Sequence, residues 1–363
     1  MRNLNDTVAR LTRMKRLGGL QGTDVPHHLS RLPKFGSNPG NLRAWEYVPA
    51  DLPSGAPLVV VLHGCTQTAG AYDESAGWSR LADRFGFALL YPEQKQANNP
   101  NLCFNWFLQG DATRGHGEAL SIRNMVETMI ARHRLDSARI YVTGLSAGGA
   151  MAAVVLATYP DLFAAGAVIA GLPYGVATNV PQAFDLMRGH DLPSGDKLSA
   201  IARAAGGNAA PVPRLSVWHG TADHTVAPAN ADALIEQWKG LHHLAGPGET
   251  KTIGSHRRRR WRDADGRLVI EEYLIGGLGH GTPLDPSDAS LSERSGPHML
   301  DAGISSTYLI SEFWGIVPKR RKADRSSHAP TTPSPDADHQ RNDLGDFIEG
   351  TIEGALRTAG LIR

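Results

Sequence analysis

The sequence has few of the features that mark membrane proteins, disulfide scaffolds or nucleic-acid-binding proteins. Its 363 residues include only two cysteines, too few for a disulfide scaffold or a cysteine-rich zinc site. No apolar run reaches the ~18 residues that a membrane-spanning helix needs. Lysine and arginine number 37 against 36 acidic residues, so the net charge is +1. This balance gives no electrostatic reason to expect nucleic acid as a partner.

The N-terminus also lacks a recognisable export signal. The segment "MRNLNDTVARLTRMKRLGGL" is basic but has no apolar stretch of the ~7–15 residues found in a secretory signal. We therefore expect a cytoplasmic protein.

Strand-like and helix-like segments alternate through most of the chain, which predicts an α/β fold with a doubly wound, mostly parallel sheet. We expect this domain at residues 41–317, with a lid-like insertion at residues 172–213. Residues 1–40 are predicted to form an N-terminal helix and an extended arm. Residues 318–342 have the composition of a disordered linker, and residues 343–363 the pattern of an amphipathic helix.

The C-terminal helix has an apolar stripe at helical spacing, formed by Leu344, Phe347, Ile348, Ile352, Leu356 and Ala359. A helix of this kind docks back on its own domain, or it binds a partner or a surface. Docking is the simpler prediction.

A glycine-rich turn joins a predicted strand to a predicted helix in "RIYVTGLSAGGAMAAVVLATYP". Within it, Gly144-Leu145-Ser146-Ala147-Gly148 fits the nucleophile elbow G-x-S-x-G. Such a turn is too tight for large neighbours, and it presents the serine hydroxyl at the carboxyl edge of the sheet. The same residues could also form a plain structural turn, but the flanking strand and helix favour a nucleophile.

A serine nucleophile needs a base and an acid. In hydrolases that carry a nucleophile elbow on an α/β sheet, the acid and then the histidine follow the serine along the chain. Asp223 follows the strand-like "SVWHG", and His280 follows the last predicted strand, so both lie at the same sheet edge. His298 is the main rival for the base. His219 is better suited to a structural hydrogen bond, and His224 precedes the last strand.

An oxyanion hole requires two backbone donors. The Ala147 N–H opens the helix after the serine, and "VVVLHGCTQ" offers the Cys65 N–H after His63 and Gly64. We assign the function to the Cys65 backbone and a structural role to the His63 side chain.

The motifs "LHGCTQTAGAYD", "CFNWF", "GLSAGGAM", "AGLPYG", "VWHGTAD" and "GLGHGTP" together resemble the polyhydroxybutyrate depolymerase family of esterases. The resemblance covers about residues 36–316. It implies an α/β-hydrolase fold, with Ser146 as nucleophile, Asp223 as acid and His280 as base. The family also includes esterases that act on feruloyl or acetyl esters.

The resemblance leads to three functional hypotheses. The first is a serine esterase that hydrolyses short-chain acyl or hydroxyalkanoate esters through an acyl-enzyme, without cofactor or metal. Since no signal peptide or separate substrate-binding domain is evident, soluble oligomers are favoured over insoluble polymer. The second is a feruloyl or acetyl esterase on carbohydrate esters, and the third a non-catalytic binding protein on a hydrolase scaffold. The resemblance also offers an extracellular location as an alternative. The oligomeric state is not predicted.

Five side chains are candidates for the substrate pocket: Phe104, Trp106, Tyr174, Phe184 and Met187. Each of the aromatic residues fits core packing equally well. We expect a preference for acyl chains of about four carbons or fewer, because a longer chain would need a deeper groove.

Two further features have alternative interpretations. Cys65 and Cys103 are paired if the protein reaches an oxidising compartment, or else they are two small buried thiols. The segment "HRRRRWR" at residues 256–262 suggests nucleic-acid binding, but it precedes a predicted hairpin turn at Asp265-Gly266. An exposed edge strand protected by charge is the better interpretation.

Overall fold

The computed structural model describes residues 27–207 and 211–319. The predicted helix at the N-terminus, nearly all of the linker and the C-terminal helix lie outside these residues. Within the described part of the chain, no helix is long and apolar enough to cross a membrane.

The strands in chain order are β1 (Ser30–Arg31), β2 (Arg43–Tyr47), β3 (Leu58–Leu62), β4 (Ala88–Glu93), β5 (Ile140–Leu145), β6 (Ala165–Ile169), β7 (Arg214–Gly220), β8 (Glu249–Ile253), β9 (His256–Arg262), β10 (Leu268–Ile275), β11 (Thr282–Leu284) and β12 (Met299–Asp301). The helices are α1 (Ala69–Ala76), α2 (Trp78–Phe85), α3 (Gly117–His133), α4 (Ala147–Thr158), α5 (Val180–Met187), α6 (Gly195–Gly206), α7 (Ala229–Leu241) and α8 (Ser306–Trp314).

Ten of these strands form one sheet in the order β1-β2-β4-β3-β5-β6-β7-β10-β9-β8. The six strands from β4 to β10 run parallel, and the outer strands pair antiparallel at both edges. Strands β11 and β12 form a separate pair. The predicted doubly wound, mostly parallel sheet is confirmed.

The central strand β3 shows why the sheet is covered on both faces. Its sequence LVVVL is buried throughout, and successive side chains point to opposite faces. Leu58, Val60 and Leu62 join the core under α3, α4 and α7. Val59 and Val61 join the core under α1, α2 and α8.

The arginine-rich segment at residues 256–262 is a strand, as predicted, but it is not the edge strand of the sheet. It forms β9, which is the second strand from the edge, and β8 is the edge strand. The Arg259 guanidinium binds the buried Glu272 carboxylate at 2.6 Å, and Arg260 binds Glu271 at 3.0 Å. These arginines therefore neutralise buried carboxylates across the β9–β10 hairpin instead of protecting an edge. The predicted turn is present, with Gly266 at φ 77°.

The insertion at residues 172–213 contains the two helices α5 and α6. Helix α6 packs against α7, where the Gln237 side chain donates to the Leu198 carbonyl at 3.0 Å. Helix α5 ends beside the loop after β7, because the Ala227 N–H donates to the Met187 carbonyl at 2.7 Å. The insertion is therefore fixed at both β7 and α7.

Candidate active site

Ser146 occupies the sharp turn between β5 and α4. Its backbone has φ 57° and ψ −118°, a conformation that non-glycine residues rarely adopt. The Ser146 N–H donates to the Ile169 carbonyl at 2.9 Å, and its carbonyl accepts from the Ala150 N–H at 2.8 Å. The strained backbone is thus held between β6 and the first turn of α4, as expected for a nucleophile elbow.

Gly148 lets the start of α4 approach the end of β3. A β-carbon at this position would overlap the carbonyl oxygens of Leu62 and His63. The first amides of α4 therefore lie beside the loop that follows β3, where the second oxyanion donor was predicted.

Asp223 and His280 are brought together from the loops after β7 and β10. The His280 Nδ1 lies 2.8 Å from the Asp223 Oδ2. A β-carbon on Gly220 would overlap the carbonyl oxygens of Leu278 and Gly279, so glycine is needed for the two loops to meet. This contact fixes the imidazole with Nδ1 toward the acid and leaves Nε2 for proton transfer.

The environment of Asp223 favours its ionised form. Its Oδ1 accepts the Thr225 and Val226 N–H groups, each at 2.9 Å. Burial by itself raises the pKa of this carboxyl, but the facing His280 and His219 imidazoles more than offset that effect and lower the pKa below its ordinary value. Asp223 is therefore charged near neutral pH.

The hydrogen bond between the serine and the histidine is not formed in this structure. Among residues 27–207 and 211–319, neither the Ser146 hydroxyl nor the His280 Nε2 has a hydrogen-bond partner. Catalytic hydrogen bonds are often long without substrate and tighten in the reacting complex. Both atoms are thus free to meet a substrate.

The two predicted oxyanion donors are also free. Neither the Cys65 nor the Ala147 N–H donates to another residue in the described ranges. The His63 side chain is structural, because its Nδ1 lies 2.7 Å from the Gly64 carbonyl and its Nε2 accepts the Gln94 N–H at 3.1 Å. The ring fixes the loop that carries the Cys65 amide.

Cys65 and Cys103 form a disulfide, with their Cα atoms 4.3 Å apart. A backbone hydrogen bond of 2.7 Å from the Thr66 N–H to the Asn101 carbonyl lies next to it. The sequence left open whether these cysteines pair. The disulfide attaches the predicted oxyanion loop to the segment that follows β4.

Residues 46–266 match the model of the family described as Esterase PHB depolymerase. The chain belongs to this family. It is 47% identical over 296 residues to poly(3-hydroxyalkanoate) depolymerase C of Paucimonas lemoignei, covering 80% of this chain and 70% of that protein. It is 32% identical to feruloyl esterase B of Talaromyces funiculosus, covering 71% of this chain and 74% of the other.

A solved structure shares the fold of this family member. Acetyl xylan esterase from Aspergillus awamori superimposes with a TM-score of 0.68 at 26% identity, over 80% of this chain and 99% of that one. The predicted α/β-hydrolase architecture and the predicted enzyme class are confirmed. The protein is a carboxylic ester hydrolase.

The structure separates the candidate pocket residues of this esterase. Phe104 is fully buried against the His63 ring, with centroids 5.0 Å apart, so it belongs to the core and not to a pocket wall. Trp106 is nearly buried and packs edge-on against Phe107. Tyr174 is half-buried, and Gln237 binds both its backbone N–H and its carbonyl at 2.9 Å.

The remaining two candidates, Phe184 and Met187, are partly exposed on α5. The end of that helix is fixed four residues after Asp223, through the Ala227–Met187 hydrogen bond. The pocket role of Trp106, Tyr174 and α5 stays a prediction.

Two histidines near the predicted base make hydrogen bonds whose partners the sequence did not identify. His298, the alternative candidate for the base, has its Nδ1 3.1 Å from the His280 carbonyl oxygen, so it contacts the His280 backbone. His219 Nε2 lies 2.8 Å from the Val226 carbonyl and 3.4 Å from the Asp223 Oδ2. The motif "WHGTAD" contained the signal for the second contact, since its histidine and aspartate are four residues apart.

Among the described residues, no group of three or more His, Cys, Asp or Glu side chains is arranged to hold a metal ion. The candidate site brings together the elbow, the acid–histidine pair and the two predicted amide donors.

Proposed function

We propose that this esterase acts through Ser146, His280 and Asp223, with the Cys65 and Ala147 amides as the oxyanion hole. The observation that carries the proposal is that four loops, which follow β3, β5, β7 and β10, lie at one sheet edge. These loops hold a strained serine, a buried acid hydrogen-bonded to a histidine, and two unoccupied N–H groups.

The chemistry follows from these positions. The Ser146 oxygen attacks the ester carbonyl carbon while its proton passes to the His280 Nε2. Negative charge on the carbonyl oxygen is held by the two amides, and the alcohol leaves with the proton from His280. Water then attacks the acyl-enzyme, with His280 as base again, and releases the acid and the free serine. Asp223 stabilises the imidazolium and fixes its orientation.

The substrate class proposed first is a short-chain or hydroxyalkanoate ester. It is supported by the 47% identity to a protein named poly(3-hydroxyalkanoate) depolymerase. Esters of ferulate or of acetylated xylan are the second candidate, supported by relatives with those names. Rates on 3-hydroxybutyrate oligomers, feruloyl esters and acetylated xylan separate the two, and an acetyl-to-octanoyl series tests the short-chain preference.

An oxidising compartment is proposed as the working location. The cysteine pair supports it, because disulfides persist outside the reducing cytosol. The cytoplasmic expectation has no comparable support.

Replacing the proposed nucleophile tests the mechanism directly. We expect Ser146→Ala to lower turnover of p-nitrophenyl butyrate by at least about a thousandfold, because no other group supplies the attacking oxygen. The measurement is initial rate, with circular dichroism to verify the fold. Ser54→Ala is the matched control, since Ser54 is exposed before β3 at the opposite sheet edge. Full activity in Ser146→Ala would refute the assignment and favour a non-catalytic use of the elbow.

A further inference from the structure

A cationic groove lies beside the first strands of the sheet. Its volume is about 430 Å³, and it lies between the segment at residues 31–36 and the start of β2. Among the described residues that line it, the charged side chains are Arg31, Lys34, Arg43 and Lys95, and none is acidic. A concave site with charge of one sign concentrates ligands of the opposite sign.

The positive charge of this groove is only partly compensated. The Arg43 guanidinium lies 3.4 Å from Glu93, and the Lys95 ammonium donates to the Asn41 amide oxygen at 2.7 Å. Arg31 and Lys34 have no carboxylate within 4.0 Å among the described residues. Burial, followed by repulsion from Arg43 and Arg31, lowers the pKa of Lys95. A bound anion would relieve that repulsion.

The groove opens at the same sheet edge as the active site. Arg43 pairs with Glu93 at the carboxyl end of β4, and β4 lies beside β3, which lies beside β5. The step from β2 to β5 is three strand spacings of about 4.8 Å, or about 14 Å. A linear ester of a few repeat units can span this distance.

A single surface segment connects the groove to the oxyanion loop. It begins at Lys95 and ends at Cys103, which is bonded to Cys65. Asn98 holds its start, because the side-chain amide donates to the Gly40 carbonyl at 2.9 Å. Every residue of this segment is half-exposed or exposed, and most are polar, so an extended substrate could contact it.

We propose that the groove binds the terminal carboxylate of a linear hydroxyacid oligomer while one of its ester bonds lies at Ser146. Arginine and lysine are the side chains that bind carboxylates most strongly. The inference rests on the proposed function and deepens it: the enzyme recognises a free acid end and therefore prefers soluble oligomers with a free carboxylate.

The test compares the free acid of the 3-hydroxybutyrate pentamer with its methyl ester, because three or more repeat units are needed between the carboxylate and the cleaved ester to span about 14 Å. For the wild type, we expect kcat/KM to be higher on the acid than on the methyl ester, because the acid has the lower KM. This difference between acid and ester should be smaller at 0.5 M salt, because screening weakens exposed charge pairs. Lys95→Gln and Arg31→Gln should each lower kcat/KM on the acid by about threefold to fivefold, the size of an exposed ion pair. The rate on the methyl ester should stay unchanged.

Lys251→Gln is the matched control, because it removes one exposed lysine on β8 at the other edge of the sheet. Equal wild-type values for acid and ester, or equal losses on both in the groove variants, would overturn the proposal. Hydrolysis of p-nitrophenyl acetate distinguishes failure of the groove proposal from failure of the proposed function. If that activity is present and depends on Ser146, a negative groove test does not contradict the proposed triad.

Discussion

At Gly148, the absence of a side chain determines where the proposed oxyanion donor, the Ala147 N–H, lies. The residue sits in the first turn of α4, against the carbonyls that end β3. Any β-carbon must push the turn away from β3, and the Ala147 N–H moves with it. A single methyl group therefore acts on both stability and chemistry.

We expect Gly148→Ala to destabilise the fold by about 1–3 kcal/mol, as overpacked sites do. It should also lower kcat far more than it changes KM, because the amide donor serves the transition state. Thermal unfolding and steady-state kinetics on p-nitrophenyl butyrate measure the two effects. Gly110→Ala is the control, because nothing lies within 4 Å of a β-carbon there. Equal behaviour of the two variants would show that the close approach is not needed.

The shared location of the three predicted triad residues could be expected from sequence because it follows from chain order. In a parallel sheet the loops after neighbouring strands meet at one edge, so Ser146, Asp223 and His280 needed only correct strands before them. The burial of Phe104 in the core and the pairing of the two cysteines could not be predicted from chain order. Burial of Phe104 against His63, and the 4.3 Å Cα separation of the cysteines, depend on packing between segments about 40 residues apart.

Among the secondary-structure elements, strands with apolar patterns were predicted well, and the polar strand β8 was not. Strand β8 has the sequence ETKTI and is mostly exposed, so no apolar period reveals it. Its omission made β9 look like the edge strand. The arginines of β9 were therefore predicted to protect an edge. In the structure, Arg259 and Arg260 bind Glu272 and Glu271 on the neighbouring strand β10.

The disulfide is expected to support the oxyanion loop and the fold together. It closes a loop with a sequence separation of 38 residues, for which a stabilisation of about 2–4 kcal/mol is typical. Because the Cys65 N–H is also a proposed oxyanion donor, releasing the Cys65 side chain should loosen that N–H group.

We therefore expect Cys65→Ser with Cys103→Ser to lower the melting temperature and kcat, with little change in KM. Treating the wild-type protein with a reductant should reproduce both effects and leave the double variant unaffected. An unchanged kcat in the double variant would mean that His63 alone is sufficient to hold the loop.

At the scale of the whole molecule, the fold is closed by α8 on the face opposite to α4. The Trp314 ring stacks on Tyr141 of β5 with centroids 5.0 Å apart, and on Trp78 of α2 at 6.0 Å. The Arg214 guanidinium donates to the Phe313 carbonyl at 2.8 Å. The strand that delivers Ser146 thus has α8 behind it, although α8 contributes nothing to the site itself.

This arrangement predicts opposite outcomes for two C-terminal truncations. A chain ending at residue 319 keeps α8 and every proposed site residue, so we expect it to fold and to match the full chain's rate on p-nitrophenyl acetate. A chain ending at residue 303 loses Phe313 and Trp314, and burial of such aromatic residues contributes about 3–5 kcal/mol each. Since whole domains are stable by only about 5–15 kcal/mol, the shorter chain should not fold. Soluble yield, thermal unfolding and activity distinguish the two. Loss of folding in the chain that ends at residue 319 would show that the domain cannot fold without residues 320–363. A lower melting temperature with an unchanged rate is the result that a docking C-terminal helix predicts.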